Sequence, residues 1–363
     1  MELAQKTISM TSAKHIYSAL QARKKSLQPK ILGLGAALVI MCVVALNAGA
    51  VNVNVWQWLF ADTSHLGHQA LAQAVLWEIR MPRLLVAMIT GAGLALCGTV
   101  LQAICRNPLA DPGLIGVSSG AALFAGAAIA STGALHLPSQ VAPYLVPISA
   151  FFGAGLSLIL VLKIANATNG MNTLLLILAG VAVNAGAMSL LGVIQYIVDD
   201  ATLRQITFWS MGSYAGVGYM VFFITLLPVT LGTLYFWKIK QQLMLMSCSE
   251  QQAKYQGVNT HKIKLHSLWA VAAIVAVCVS FTGIVGFVGL VVPHVCRMFI
   301  GAHLKILIPC SVVCGALLVC TADIVARTII IPAELPIGII TSIVGVPFFL
   351  YLIVKEKRRF NYV

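Results

Sequence analysis

Charge is what this sequence has least of. Of its 363 residues, 9% are Asp, Glu, Lys or Arg, where soluble domains carry about 25%. Acid is scarcer still, with 10 Asp and Glu against 23 Lys and Arg and a net charge of +13. Hydrophobic residues make up 60%. A soluble globular domain is excluded, and the positive charge is not a nucleic-acid signature. The two-residue alternation of a membrane β-barrel is missing. No Gly-Lys pair occurs, so there is no GxxxxGK[ST] phosphate loop, and there is no HExxH. No CxxC occurs either. The nine cysteines fall mostly inside apolar runs and read as small packing residues. Cys310 and Cys314 share a helix face, which is too little for a metal site.

Buried carboxylates are a further absence. Carriers driven by protons or sodium place them along the path. Here Asp111, Asp199 and Asp200 fall at span ends, and the first eight spans are otherwise nearly free of acid. A carrier with neither motor nor proton relay needs its energy from outside the chain.

What is present is a series of apolar runs: 31–50, 84–104, 113–131, 141–163, 173–197, 218–237, 267–299, 304–323 and 336–354. They predict an all-α polytopic membrane protein. As one helix, 267–299 would be about 50 Å long against a hydrocarbon core of about 30 Å. Gly283, Gly286 and Gly289 punctuate it, so two short helices are expected there. That gives ten transmembrane helices with both termini cytoplasmic. Arg80, Arg83, Arg204 and Arg327 then fall outside and the other nineteen of the 23 basic residues fall inside, as the positive-inside rule requires. Residues 1–30 are expected as a cytoplasmic N-terminal segment, 31–354 as a single ten-helix transmembrane domain and 355–363 as a cytoplasmic tail. Ala48-Gly49-Ala50 fits a small-residue cleavage site, but the long basic leader (Arg23, Lys24, Lys25, Lys30) and the helix count favour an uncleaved first span.

The external segment 51–83 carries Trp56, Trp58 and Trp77, suited to an interface, and ends in Arg80-Met81-Pro82-Arg83, with Pro82 expected in the first helical turn. The two arginines read either as snorkelling side chains or as a docking rim. Asp323 and Arg327, four apart, are expected as an ion pair near membrane depth. The connection Arg106–Gly116 (RNPLADPGLIG) is a tight turn or a constriction of a pore, with Asn107 and Asp111 as caps. His294, after Pro293, reads as structural. His65, His68 and His136 fall outside and could touch a heme-like ligand. Small residues crowd 91–98, 116–130 and 179–192, allowing close helix approach.

The one polar interruption is Lys238–Leu265, within the connection 238–266. It holds Lys238, Lys240, Lys254, Lys262 and Lys264 with the single acid Glu250. Ser249-Glu250-Gln251-Gln252 is an S-x-x-Q capping box, and Gly257 with Asn259 is a stop signal, so a short capped helix is expected. It is a solvated loop or a docking surface for a soluble partner.

These residues together resemble the transmembrane permeases of ABC importers for ferric siderophores, heme and cobalamin. The likeness runs from Glu78 to Lys355 through RMPR (80–83), RNPLADPGLIGVSSGAA (106–122), FWSMGS (208–213), GFVGLVVPHVCR (286–297), ADIVAR (322–327) and AELPIGIIT (333–341). The 106–122 stretch leans toward heme permeases. The resemblance implies a non-enzymatic permease of the inner membrane bilayer, homodimeric, with two ATP-binding subunits below and a periplasmic binding protein above. It implies no cofactor, metal or nucleic acid on this chain; ATP and Mg²⁺ belong to the partner. It implies that Arg80, Arg83 and Arg327 dock the binding protein, that Asn107, Leu109, Asn172 and Thr173 form cytoplasmic gates, and that Ser249, Glu250, Ala253, Lys254 and Gly257 couple to the ATPase. Arg204 is left without a role. Ser249 stands where the family usually has Gly, and Gln256 where it usually has Leu. A cobalamin permease and a secondary carrier working alone are the alternatives.

Overall fold

The computed structural model describes residues 28–49, 72–132, 138, 141–167 and 170–360. Arg23, Lys24, Lys25, Trp56, Trp58, His65, His68 and His136 lie outside the described residues. The described chain is mostly helical, and its one strand pair among the described residues is Asn166–Ala167 with Gly170–Met171. The order is α1 (Gln28–Asn47), α2 (Ala72–Cys105), α3 (Val117–Ser131), α4 (Ala142–Ala165), α5 (Thr173–Ile197), α6 (Asp200–Met211) and α7 (Tyr219–Lys238). Then come α8 (Lys240–Cys248), α9 (Glu250–Tyr255), α10 (Thr260–Thr282), α11 (Val288–Ile300), α12 (Leu304–Thr328) and α13 (Ile337–Phe360). Among the described residues, eight helices are long and apolar enough to cross a membrane, and α3 and α11 are shorter apolar helices.

Helix α2 is the centre. It is 83% buried over its apolar window and packs against α7, α10, α11 and α12. One close crossing is with α12, where a Cβ on Gly91 would strike the backbone carbonyl of Gly315, and the reverse holds for Gly315 against Gly91. The second tight pair is α3 with α4, through Gly120 and Gly153. Without side chains between them the backbones approach closely, which is how helices associate when lipid is as apolar as leucine. In 179–192 only part of the small-residue expectation holds. Gly180 abuts the carbonyl of Leu114, but Gly186 and Gly192 face open space.

Several boundaries differ from the sequence reading. The run 267–299 does break, at Gly283 with φ +70°. But the first piece is a full-length helix from Thr260, and only the second is short. Pro82 is not in a first turn. Helix α2 begins at Ala72 and passes through a π turn, Val75–Arg80, before Pro82. That turn shifts the Met81 N–H onto the carbonyl of Leu76, one residue further back than in an α-helix. Gly113 does not start a helix either. Asp111 caps a single 3₁₀ turn, Pro112–Ile115, and α3 starts at Val117.

Candidate functional site

Three polar clusters interrupt the apolar body. The first joins Arg80, Arg83 and Arg327 to Asp323 and Glu334. Arg83 donates to both Asp323 oxygens, at 2.9 Å from Nη2 and 3.0 Å from Nε to Oδ1, and its Nη1 donates to Glu334 at 2.8 Å. The expected Asp323–Arg327 pair is present at 3.6 Å. Arg80 donates to the carbonyls of Leu46 and Asn47 at 2.6 and 3.0 Å, and Arg327 to that of Ala45 at 2.6 Å. These are last-turn carbonyls of α1, which have no partner inside their own helix. Two guanidinium groups therefore close its C-terminus, where cations are favoured. The three arginines are 4%, 8% and 9% exposed. They are not an open basic rim; the outward-facing member is Glu334, whose side chain is 40% exposed. Arg204, on α6 behind the Asp199 cap, is exposed. The hydroxyl and N–H of Thr202 hold the Asp199 carboxyl below the usual range.

The second cluster fixes the connection after α2. Arg106 takes a left-handed turn at φ +51°. Asn107 accepts from the Leu109 N–H at 2.9 Å and Asp111 from Gly113 at 2.7 Å, so both act as caps of turns. Asn184 on α5 donates to the Gly113 carbonyl at 3.0 Å and accepts from Ser119 at 2.5 Å. The connection is thus held inside the protein, with Asn107 and Leu109 half-buried. Asn172 is the exposed N-cap of α5, accepting from Leu174 at 2.8 Å, and Thr173 follows it half-buried. A second buried link joins α2 to α11: Arg297 donates to Gln102 at 2.6 Å, and Gln102 donates to the carbonyls of Gly289 and Leu290. The sequence reading did not single out Asn184 or Gln102. Each is an amide with apolar residues or small residues on both sides within a membrane-length helix, and that is the signal that finds them. Gly116–Gly120 spells G-x-S-x-G, but it follows a 3₁₀ turn rather than a strand, so it is not a nucleophile elbow.

The third cluster is the elbow between α7 and α10. Ser249 caps α9, accepting from Gln252 at 3.4 Å. At the other end the Gly257 N–H reaches the Lys254 carbonyl and the Val258 N–H that of Ala253, both at 3.0 Å, with Gly257 at φ +79°. This pair of bonds is a Schellman motif. Asn259 is the cap of α10 rather than part of the stop. Ala253 is fully buried. Lys264, 3% exposed, reaches back from α10 to Glu250 at 2.6 Å, with Lys254 one turn away at 3.9 Å. Burial works to raise the Glu250 carboxyl, but Lys264 and Lys254 outweigh it and leave it below the usual carboxylate range.

The model of the FecCD transport family matches residues 37–355, which takes in all three clusters. The chain belongs to the FecCD transport family. Among its FecCD relatives, the hemin transport system permease protein HmuU of Yersinia pestis is 38% identical over 92% of this chain and 98% of its own. The vitamin B12 import system permease protein BtuC of Vibrio cholerae is 35% identical over 87% of this chain and 91% of its own. A solved inward-facing structure of a metal-chelate type ABC transporter superposes with a TM-score of 0.78 at 34% identity, covering 90% of this chain and 99% of that one. This FecCD chain is a multi-pass membrane permease of the ABC importer class.

Proposed function

We propose that this permease carries an iron chelate across the bacterial inner membrane, heme first and a ferric siderophore second. The observation that carries the reading is the end-to-end likeness to a hemin permease. The likeness to a vitamin B12 permease supports cobalamin as the second reading. The chain acts as a homodimer with two ATP-binding subunits on the cytoplasmic side and a periplasmic binding protein outside. Ser249, Glu250, Ala253, Lys254 and Gly257 transmit the movement of the ATPase. Asn107, Leu109, Asn172 and Thr173 close the path at the cytoplasmic end. The permease makes and breaks no bonds; it supplies alternating access, and its partner supplies ATP hydrolysis with Mg²⁺.

Docking of the binding protein falls to Arg80, Arg83 and Arg327, in a form adjusted to their burial. Arg83 already holds two carboxylates, so an incoming glutamate competes with Glu334, the more exposed of the two. The test of substrate uses the complete importer in proteoliposomes, offered heme, a ferric siderophore and cobalamin in separate runs. Heme uptake is expected to be fastest. Uptake of cobalamin with no uptake of either iron compound would overturn the assignment to an iron chelate.

A further inference from the structure

Between Lys240 and Asn259 all but one of the large apolar side chains are buried or half-buried. Leu243 and Met246 are buried, while Tyr255 is 87% exposed. Among the described residues of this elbow it is the one large apolar side chain left in the open, and its hydroxyl has no hydrogen-bond partner there. It occupies the last position of α9. The backbone beneath it is fixed by the Ser249 cap, the Schellman turn at Gly257 and the Lys264–Glu250 pair. Its chain neighbours Lys254 and Gln256 are exposed, as is Lys262 at the start of α10, and the one acid of the elbow is engaged by Lys264.

A rigidly held aromatic inside a polar, cationic rim is the anatomy of an interface hot spot. Lipid is the competing occupant, and the position argues against it. From Thr260 to Ser267, α10 is polar on most positions (His261, Lys262, Lys264, His266). Those seven steps set the elbow about 10 Å beyond the apolar part of the helix. We propose that Tyr255 is the anchor by which this permease selects its ATPase: the ring enters an apolar pocket on the ATP-binding subunit, whose rim is acidic to match the lysines. The proposal rests on the reading of the elbow as the ATPase coupling segment and adds to it the residue that sets affinity and partner choice.

The test measures binding of the purified ATP-binding subunit of the chain's own system to the full permease in phosphatidylcholine nanodiscs. Tyr255→Ala is expected to weaken binding by about tenfold or more, and Tyr255→Phe by less than about twofold, because the ring and not the hydroxyl is buried. Tyr255 is 87% exposed, so both variants are expected to fold as wild type. Wild-type affinity in Tyr255→Ala overturns the proposal and leaves the coupling reading intact. Failure of the wild-type permease to bind the subunit at all overturns both. The measurement is repeated with phosphatidylglycerol; a Tyr255 effect confined to the anionic lipid assigns the ring to headgroups and overturns the proposal.

Discussion

Asp323 does more than its sequence position announces. It is 4% exposed and faces Arg83 and Arg327 together, so it neutralises charge on two helices that cross at the Gly91–Gly315 contact. Removing one member of a buried ionic group leaves its partners uncompensated, at a cost of about 3–5 kcal/mol. Asp323→Asn is therefore expected to lower the unfolding midpoint of the detergent-solubilised protein sharply. Glu334→Gln, at a more exposed pair, is expected to cost under about 1 kcal/mol. Equal effects of the two changes would contradict the assignment of Asp323 as the centre of the cluster. The same Glu334→Gln variant tests docking: with its competitor neutralised, Arg83 is expected to bind the binding protein more tightly, most visibly at low salt. Weaker docking would contradict the competition. The sequence showed Asp323 and Arg327 as an i,i+4 pair, because spacing on one helix is a local property. It did not show Arg83 beside Asp323, since that contact spans 240 positions and depends on how α2 crosses α12.

At the scale of elements, α9 is a six-residue helix that does not stand by propensity. Its ends are capped, and its side is tied to α10 through Lys264 and Glu250. Replacing Lys264 with Met removes the shorter of the two ion pairs on Glu250. Amide exchange in α9 is expected to speed up by about tenfold, the equivalent of one charged hydrogen bond. Unchanged exchange would show that the caps alone hold the helix. The pH dependence has a definite sign. A carboxyl lowered from its ordinary 4.5 contributes fully at neutral pH, and the contribution fades as pH falls through the lowered value. Protection of α9 is therefore expected to be flat down to about pH 5 and to decline below about pH 4. The caps of α9 were legible because S-x-x-Q and a following Gly are signals within four residues. The Gly283 break was legible from length and glycine. The start of α2 was not, because a π turn leaves no mark in hydrophobic periodicity and Pro82 looks like a beginning.

At the scale of the molecule, several helices keep most of their apolar surface outward. Only 6% of the α1 window and 22% of α7 and of α13 are buried within the chain, so these helices are solvated by lipid or by another subunit. Helix α1 is held at its two ends, by Lys30 on the carbonyl of Phe299 and by the arginines at Ala45, Leu46 and Asn47. The all-helical membrane class and the family were legible in the sequence because composition, charge asymmetry and several motifs in fixed order all pointed one way. The substrate was not, since the polar side chains of the first two clusters, such as Arg80, Arg327, Asn107 and Asp111, hold turns and helix ends. The most direct measurement is heme uptake into proteoliposomes holding the permease with and without its ATP-binding subunit, in the presence of the binding protein and ATP. Uptake is expected only when the subunit and hydrolysable ATP are both present; uptake by the permease alone, driven by an ion gradient, would contradict the account.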